Sequence, residues 1–343
     1  LTTGIRNTAV GYDALGGTDD GGYNVAVGYG ALLANCGDAN TSVGVSSLDA
    51  FTGSNATAIG YYAASSATSA GYLTAIGRSA LGSMTDGTGN TAVGYGTLNQ
   101  LTTGDYNTAV GHATGQDVYG DHNTFMGRYA GLYAGDTDYC VAIGSGALQG
   151  ATFTDATCDT GSNTTVACDS SAVIAVGQVV TGSGIPTGTY VSAVNSAGSV
   201  TSFTISQAAT SSITDTTLTF RSNVGDYNIA IGSYSLDAVT SCASNLAIGY
   251  NAGTAILGGN QNVLIGTNAG LVLTDNTNNI VIGYAAMDAA TGGENDNVAI
   301  GLNALGAENS NADYCVAIGS YALASQNADV KNTAIGGLAG DAI

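Results

Sequence analysis

Residues 7–15 read NTAVGYDAL and residues 24–32 read NVAVGYGAL. The same phrase, Asn, a β-branched residue, Ala, Val or Ile, Gly, any, any, small, returns to the end of the chain. Numbered by its glycine, the repeat falls at 11, 28, 44, 60, 77, 94, 111, 127 and 144, then at 232, 249, 266, 283, 301, 319 and 336. The steps are 16 to 18 residues, except one of 88, which leaves an insertion of about 71 once an ordinary step of 17 is taken off.

Self-similarity at a fixed period outranks every local signal in reading a fold. A period near 17 is too short for a helix pair or a propeller unit, and it suits a coil of two short strands and two turns. Coils stacked at the inter-strand spacing of ~4.8 Å build a rod of roughly 70 Å from sixteen copies. The chain is therefore expected to be all-β, a parallel β-solenoid of sixteen 16–18-residue coils. Rod segments are expected over residues 1–150 and 223–343, with a small inserted β-sandwich-like domain over 151–222.

Within each copy the residue before the glycine is Val, Ile or Met, and the residue three before it is Thr, Val, Ile or Leu. Alternate strand residues share a face. These two columns are thus expected to line the core, including Val10 and Gly11, Val27 and Gly28, Ile59 and Gly60, Val93 and Gly94. The same holds for Ile143 and Gly144, Ile231 and Gly232, Ile265 and Gly266, and Ile318 and Gly319. The residue between the columns is Ala in twelve copies, with Ser42, Phe125, Leu264 and Val281 as exceptions, and is expected on the opposite face, flat enough for another backbone. The Ala, Ser or Thr three after the glycine, often followed by Leu, reads as a second short strand. Asn stands four before the glycine in twelve copies, including Asn7, Asn24, Asn90, Asn107, Asn228, Asn262 and Asn332. These amides either form a ladder from coil to coil or are turn residues tolerant of left-handed backbone.

Composition narrows the function. Asp and Glu total 25 against five Lys and Arg, a formal net charge of −20. The cations Arg6, Arg78, Arg128, Arg221 and Lys331 are scattered singly, so a nucleic-acid partner, which needs clustered cations to release counterions, is not expected. Anionic membrane surfaces are disfavoured for the same reason. No window approaches the 18 apolar residues of a membrane-spanning helix, so membrane insertion is not expected. An apolar fraction of 44% supplies enough material for a core. The chain starts at Leu1 without Met or signal peptide and is read as a piece of something longer. The repeats run close to both ends without a polar cap, so the rod is expected to continue or to stack end to end.

The NTAVG, NVAVG and CVAIG copies resemble the head repeats of trimeric autotransporter adhesins of the YadA type. Similar NTAVGYxAL arrays occur in phage tail fibres. The resemblance covers about residues 7 to 148 and 223 to 340. It implies a left-handed parallel β-roll that assembles as a homotrimer. Inside the insertion, alternating Thr, Val and Ile broken by Gly, Ser and Pro186 indicate short antiparallel strands. Its segment VTGSGIPTGTYV (180–191) resembles one that recurs in phage structural proteins.

Chemistry-bearing groups are sparse. His112 and His122 fall in consecutive repeats and read as surface decoration of the rod. There is no C-x-x-C pair among the six cysteines, so zinc and redox signatures fail. Cys158 and Cys168 are a candidate disulfide in an oxidising compartment. Cys140 and Cys315 take the Asn position six coils apart, about 29 Å at the inter-strand spacing, far beyond disulfide reach. Acidic turns such as Asp105, Asp121, Asp138 and Asp226 are read as solvating, with calcium the one cofactor they could attract. No nucleophile–base pair or nucleotide-binding glycine loop is found, so the chain is not expected to be an enzyme. The expected function is a structural shaft segment of a viral tail fibre or similar surface fibre, extracellular or on a virion. Its exposed turns and inserted domain would contact a host glycan or protein. A bacterial trimeric adhesin head is the second reading, and a self-polymerising extracellular filament the third.

Overall fold

The computed structural model describes residues 3–150, 152–171, 174, 178–186, 189–194, 200–221, 224–289, 294–306, 313–325 and 331–341. Sixteen three-residue strands form the rod. The first nine are β1 (Thr8–Val10), β2 (Val25–Val27), β3 (Thr41–Val43), β4 (Thr57–Ile59), β5 (Thr74–Ile76), β6 (Thr91–Val93), β7 (Thr108–Val110), β8 (Thr124–Met126) and β9 (Val141–Ile143). Six more belong to the insertion: β10 (Thr152–Thr160), β11 (Thr165–Ser171), β12 (Val179–Gly182), β13 (Val191–Val194), β14 (Val200–Ile205) and β15 (Ile213–Arg221). The rod resumes with β16 (Ile229–Ile231), β17 (Leu246–Ile248), β18 (Val263–Ile265), β19 (Ile280–Ile282), β20 (Val298–Ile300), β21 (Val316–Ile318) and β22 (Thr333–Ile335).

All sixteen rod strands lie in one parallel sheet in chain order, and each repeat pairs residue for residue with the next. The insertion does not interrupt this register: Val141, Ala142 and Ile143 face Ile229, Ala230 and Ile231. Thr137 Oγ1 also donates to the Gly225 carbonyl at 2.6 Å across the 88-residue gap.

The sheet is inverted relative to the expectation from side-chain size. The mid-strand alanines are the core: Ala26, Ala58, Ala75, Ala92 and Ala230 are fully buried, whereas Val10, Ile59 and Ile143 are exposed and most of their equivalents half-buried. The expected core assignment of Val10, Val27, Ile59, Val93, Ile143, Ile231, Ile265 and Ile318 is therefore corrected to the outward face. The physical reason lies on the far side of the coil. The small residue three after the glycine, the residue four after it (Leu32, Leu48, Leu81, Leu98) and a third seven after it (Phe51, Met84, Leu101) all point inward and are buried. Only a small side chain fits opposite them. Opposite Phe125 and Leu264 the residue four after the glycine shrinks to Gly. A Cβ on Gly131 would lie 2.9 Å from the Phe125 ring and one on Gly270 3.0 Å from Leu264 Cδ2.

The expected second strand is also corrected. Residues two and four after the glycine adopt left-handed backbone, as at Asp13 (φ 55) and Leu15 (φ 55), Ser46 and Leu48 (both φ 50), and Ser79 (φ 56) and Leu81 (φ 51). A turn with this alternation still bonds to its neighbours. The Gly30 N–H donates back to the Tyr12 carbonyl at 2.9 Å, and the Leu15 N–H donates forward to the Ala31 carbonyl at 3.1 Å.

The Asn column supplies the remaining wall. Asn107 accepts, through Oδ1, the backbone N–H of Asn123 (3.0 Å) and donates Nδ2–H to the Gly120 carbonyl (2.9 Å). Asn24 and Asn90 are bonded in the same way and are fully buried, so each amide satisfies two buried backbone groups of the next coil. Cys140 and Cys315 replace Asn in this column. There the Asn228 N–H points at Cys140 Sγ (3.3 Å).

The insertion is antiparallel, in the order β12-β15-β10-β11-β14-β13. The two-sheet sandwich expectation gives way to a single sheet whose ends meet. The Val180 N–H donates to the Thr189 carbonyl and the Val191 N–H to the Gln178 carbonyl, both at 2.8 Å. Closure of this kind removes exposed strand edges, and strand alternation alone does not distinguish it from a sandwich. Val166, Val180, Phe203, Leu218 and Phe220 fill its core. The candidate disulfide is corrected as well: Cys158 and Cys168 are both buried thiols with no disulfide between them. They serve that core as small apolar side chains.

The glycine column yields a test. Its φ runs from 126° to 145°, and a Cβ at Gly94 would strike the Gly111 carbonyl, whereas one at Gly96 (φ 61) meets nothing within 4 Å. Gly94→Ala is expected to cost about 3 kcal/mol or more, or to prevent folding. Gly96→Ala is expected to cost only the left-handed penalty of about 1–2 kcal/mol. Equal melting temperatures for the two variants would contradict this account of the column.

Candidate functional site: the outward sheet face and the turn ladders

Turning the alanines inward leaves a continuous outward face of Thr, Val and Ile along the rod. Among the described residues it carries no charge, in a chain of formal charge −20. Ile59, Met126, Ile143, Ile229 and Ile280 are between 36% and 48% exposed. A contiguous apolar strip on this scale is the kind of surface that proteins use for interaction.

At the corner five residues before the glycine the backbone is left-handed again in the fifteen coils from Arg6 to Tyr314, and four consecutive coils carry aromatic rings there. Tyr106, His122, Tyr139 and Tyr227 stack with centroids 5.1, 4.9 and 5.5 Å apart and interplanar angles of 16°, 6° and 5°. A second column, just after the glycine, stacks Tyr12 on Tyr29 (5.3 Å) and Tyr95 on His112 (5.1 Å). The ring faces are occupied by one another, so these ladders present edges and hydroxyls outward. They suit hydrogen bonding better than ring-face stacking. Both histidines are therefore members of aromatic columns. Four of the scattered cations join them: Arg6 lies over Tyr23, Arg78 between Tyr61 and Tyr95, Arg128 over Tyr129 and Lys331 over Tyr314.

The residue before each corner aromatic is the acidic one noted in the turns. Asp121 Oδ1 accepts the Asp105 N–H (2.8 Å), Asp138 Oδ1 the Asp121 N–H (2.6 Å) and Asp226 Oδ1 the Asp138 N–H (3.0 Å). These carboxylates add to the backbone ladder at the corner just before each strand begins, where the Asp105, Asp121 and Asp138 carbonyls still accept the N–H groups of His122, Tyr139 and Tyr227. Among the described residues no group of three or more His, Cys, Asp or Glu is arranged to hold a metal ion.

Titration is perturbed mainly by burial. The Cys140 thiol is pushed up to about 11 and the Cys242 thiol to about 12, which leaves both protonated and unreactive at neutral pH. Burial raises Asp49 and Asp288, and burial together with the charges of Asp138, Asp226 and Asp121 raises Asp136. At Asp237 burial lifts the carboxyl to about 6 from its ordinary 3.8.

The folded chain thus holds the Asp237 proton more tightly than the unfolded chain. The associated stability is complete below 3.8 and is lost as pH rises through about 6. Asp237→Asn is expected to raise the melting temperature at about pH 7.5 and leave it nearly unchanged at about pH 4. An equal shift at both would show that Asp237 is not held protonated by the fold.

No protein-family model matches this chain, and neither the curated proteins nor the solved structures contain a match to it.

Proposed function

We propose that the chain is a structural shaft segment of a trimeric extracellular or virion surface fibre of the tail-fibre kind. Its function is to transmit length and stiffness, while the aromatic turns and the inserted sheet meet a host surface glycan or protein. The observation that carries this reading is the uncharged outward face of one unbroken sixteen-strand ladder. A stack of sixteen coils is roughly 70 Å long, and a strand of three residues is about 10 Å wide, which offers on the order of 700 Å² per copy. Stable interfaces take about 800 Å² from each partner. Like-charged copies can meet on this face because none of the rod's strands carries a carboxylate.

The sparse, mostly tied-up titratable groups support a non-enzymatic role. The histidines stack in aromatic columns, the corner carboxylates accept backbone N–H groups, and Cys140 and Cys242 are held protonated.

Sedimentation equilibrium of the purified chain, with electron-microscopic averages viewed down the rod, tests the proposal. Discrete rods with threefold averages and a mass of three chains are expected. A monomer at micromolar concentration, or endless single-start filaments, would overturn it.

A further inference from the structure

The outward face is not uniform along the rod. In the first eight coils the column three before the glycine is Thr except at Val25, and the column just before the glycine is mostly Val. From β9 onward the first column is Val141, Ile229, Leu246, Val263, Ile280 and their successors, with Thr only at Thr333. The second column is Ile in every coil from Ile143 to Ile335. The same sheet face therefore carries a hydroxyl beside one apolar group in seven of the first eight coils, and two aliphatic groups per coil, one of them always Ile, in β9 and β16 to β21.

The hydroxyls are not used inside the chain. Thr52, Thr68 and Thr85, on a turn, each donate to the carbonyl of the next coil. The backbone N–H groups of the outward Thr41, Thr57, Thr74, Thr91 and Thr108 donate to the next coil, but their hydroxyls make no hydrogen bond among the described residues. Covering them with an apolar partner surface strips water from each hydroxyl without replacing its bond. Covering the Ile and Val columns carries no such cost, and it removes more apolar area from water.

Resting on the proposal that copies of this chain meet on the outward face, we infer that the seven rod strands β9 and β16 to β21 supply most of the association energy and that they meet the same strands of a second copy. The first half adds contact area but little affinity, because water must be stripped from its threonine column. The pairing is self-selective, because only like zones match. Opposed or shifted copies would bury the threonine column against the isoleucines.

Two sets of full-length variants test this by sedimentation equilibrium, with circular dichroism confirming the fold of each. Ile231→Asp with Ile265→Asp is expected to weaken association at least 100-fold. Val43→Asp with Val93→Asp is expected to weaken it less than 10-fold. Thr57→Val with Thr91→Val, which removes only hydroxyls, is expected to tighten it at least 10-fold. Equal weakening by the two Asp pairs, or no tightening by the Val pair, in a wild-type chain that does associate would overturn the zoning alone. A wild-type chain that stays monomeric would overturn the shared-face reading and the zoning together.

Discussion

The rest of the structure depends on one close approach, the stacking of glycine on glycine where each strand ends. At Gly60 a Cβ would come 2.5 Å from the Gly77 carbonyl oxygen, so no side chain can occupy the column while coils remain one strand spacing apart. That contact lets the chain leave the sheet with φ near +135° and enter a turn that other residues follow only with difficulty. From it follow the in-register parallel pairing and the burial of the mid-strand alanine. The stacked corners, where aromatic and acidic residues form columns, follow as well. The Asn amides complement it at the other strand end by satisfying backbone groups that no strand pairs.

The period, the strand positions and the place of the insertion were legible because copying a coil copies its sequence. The choice of inner face was not. A three-residue strand has two faces, and alternation says which residues go together without saying which set is buried. The larger aliphatics are a poor guide when they belong to an outward face, since burial of hydrophobic residues is a one-way rule. A usable signal was present in volume compensation: Gly115 and Gly131 replace the usual Leu in the coils adjoining Phe125, and Gly253 and Gly270 do so around Leu264.

The left-handed turn was legible in a similar negative way. Positions two and four after the glycine, and five before it, never hold Val, Ile or Thr in any of the sixteen copies, although these residues abound elsewhere. β-Branched side chains are the ones left-handed backbone tolerates least. Their absence at three columns marks a turn where small residues and Leu had suggested a strand. In the insertion, closure of one sheet and division into two leave the same alternation, and only the bonds of Val180 and Val191 separate them.

The interior-alanine, exterior-isoleucine arrangement is the claim on which both the shaft reading and the zoned face rest. It can be read directly by thiol labelling, because all six native cysteines are buried and contribute little background in the folded chain. Thr91→Cys and Ala92→Cys, neighbours on one strand, would be labelled at a concentration low enough to hold the chain monomeric. The account predicts prompt labelling at position 91 and none at 92 until the chain unfolds. Labelling at 92 with protection at 91 would contradict it.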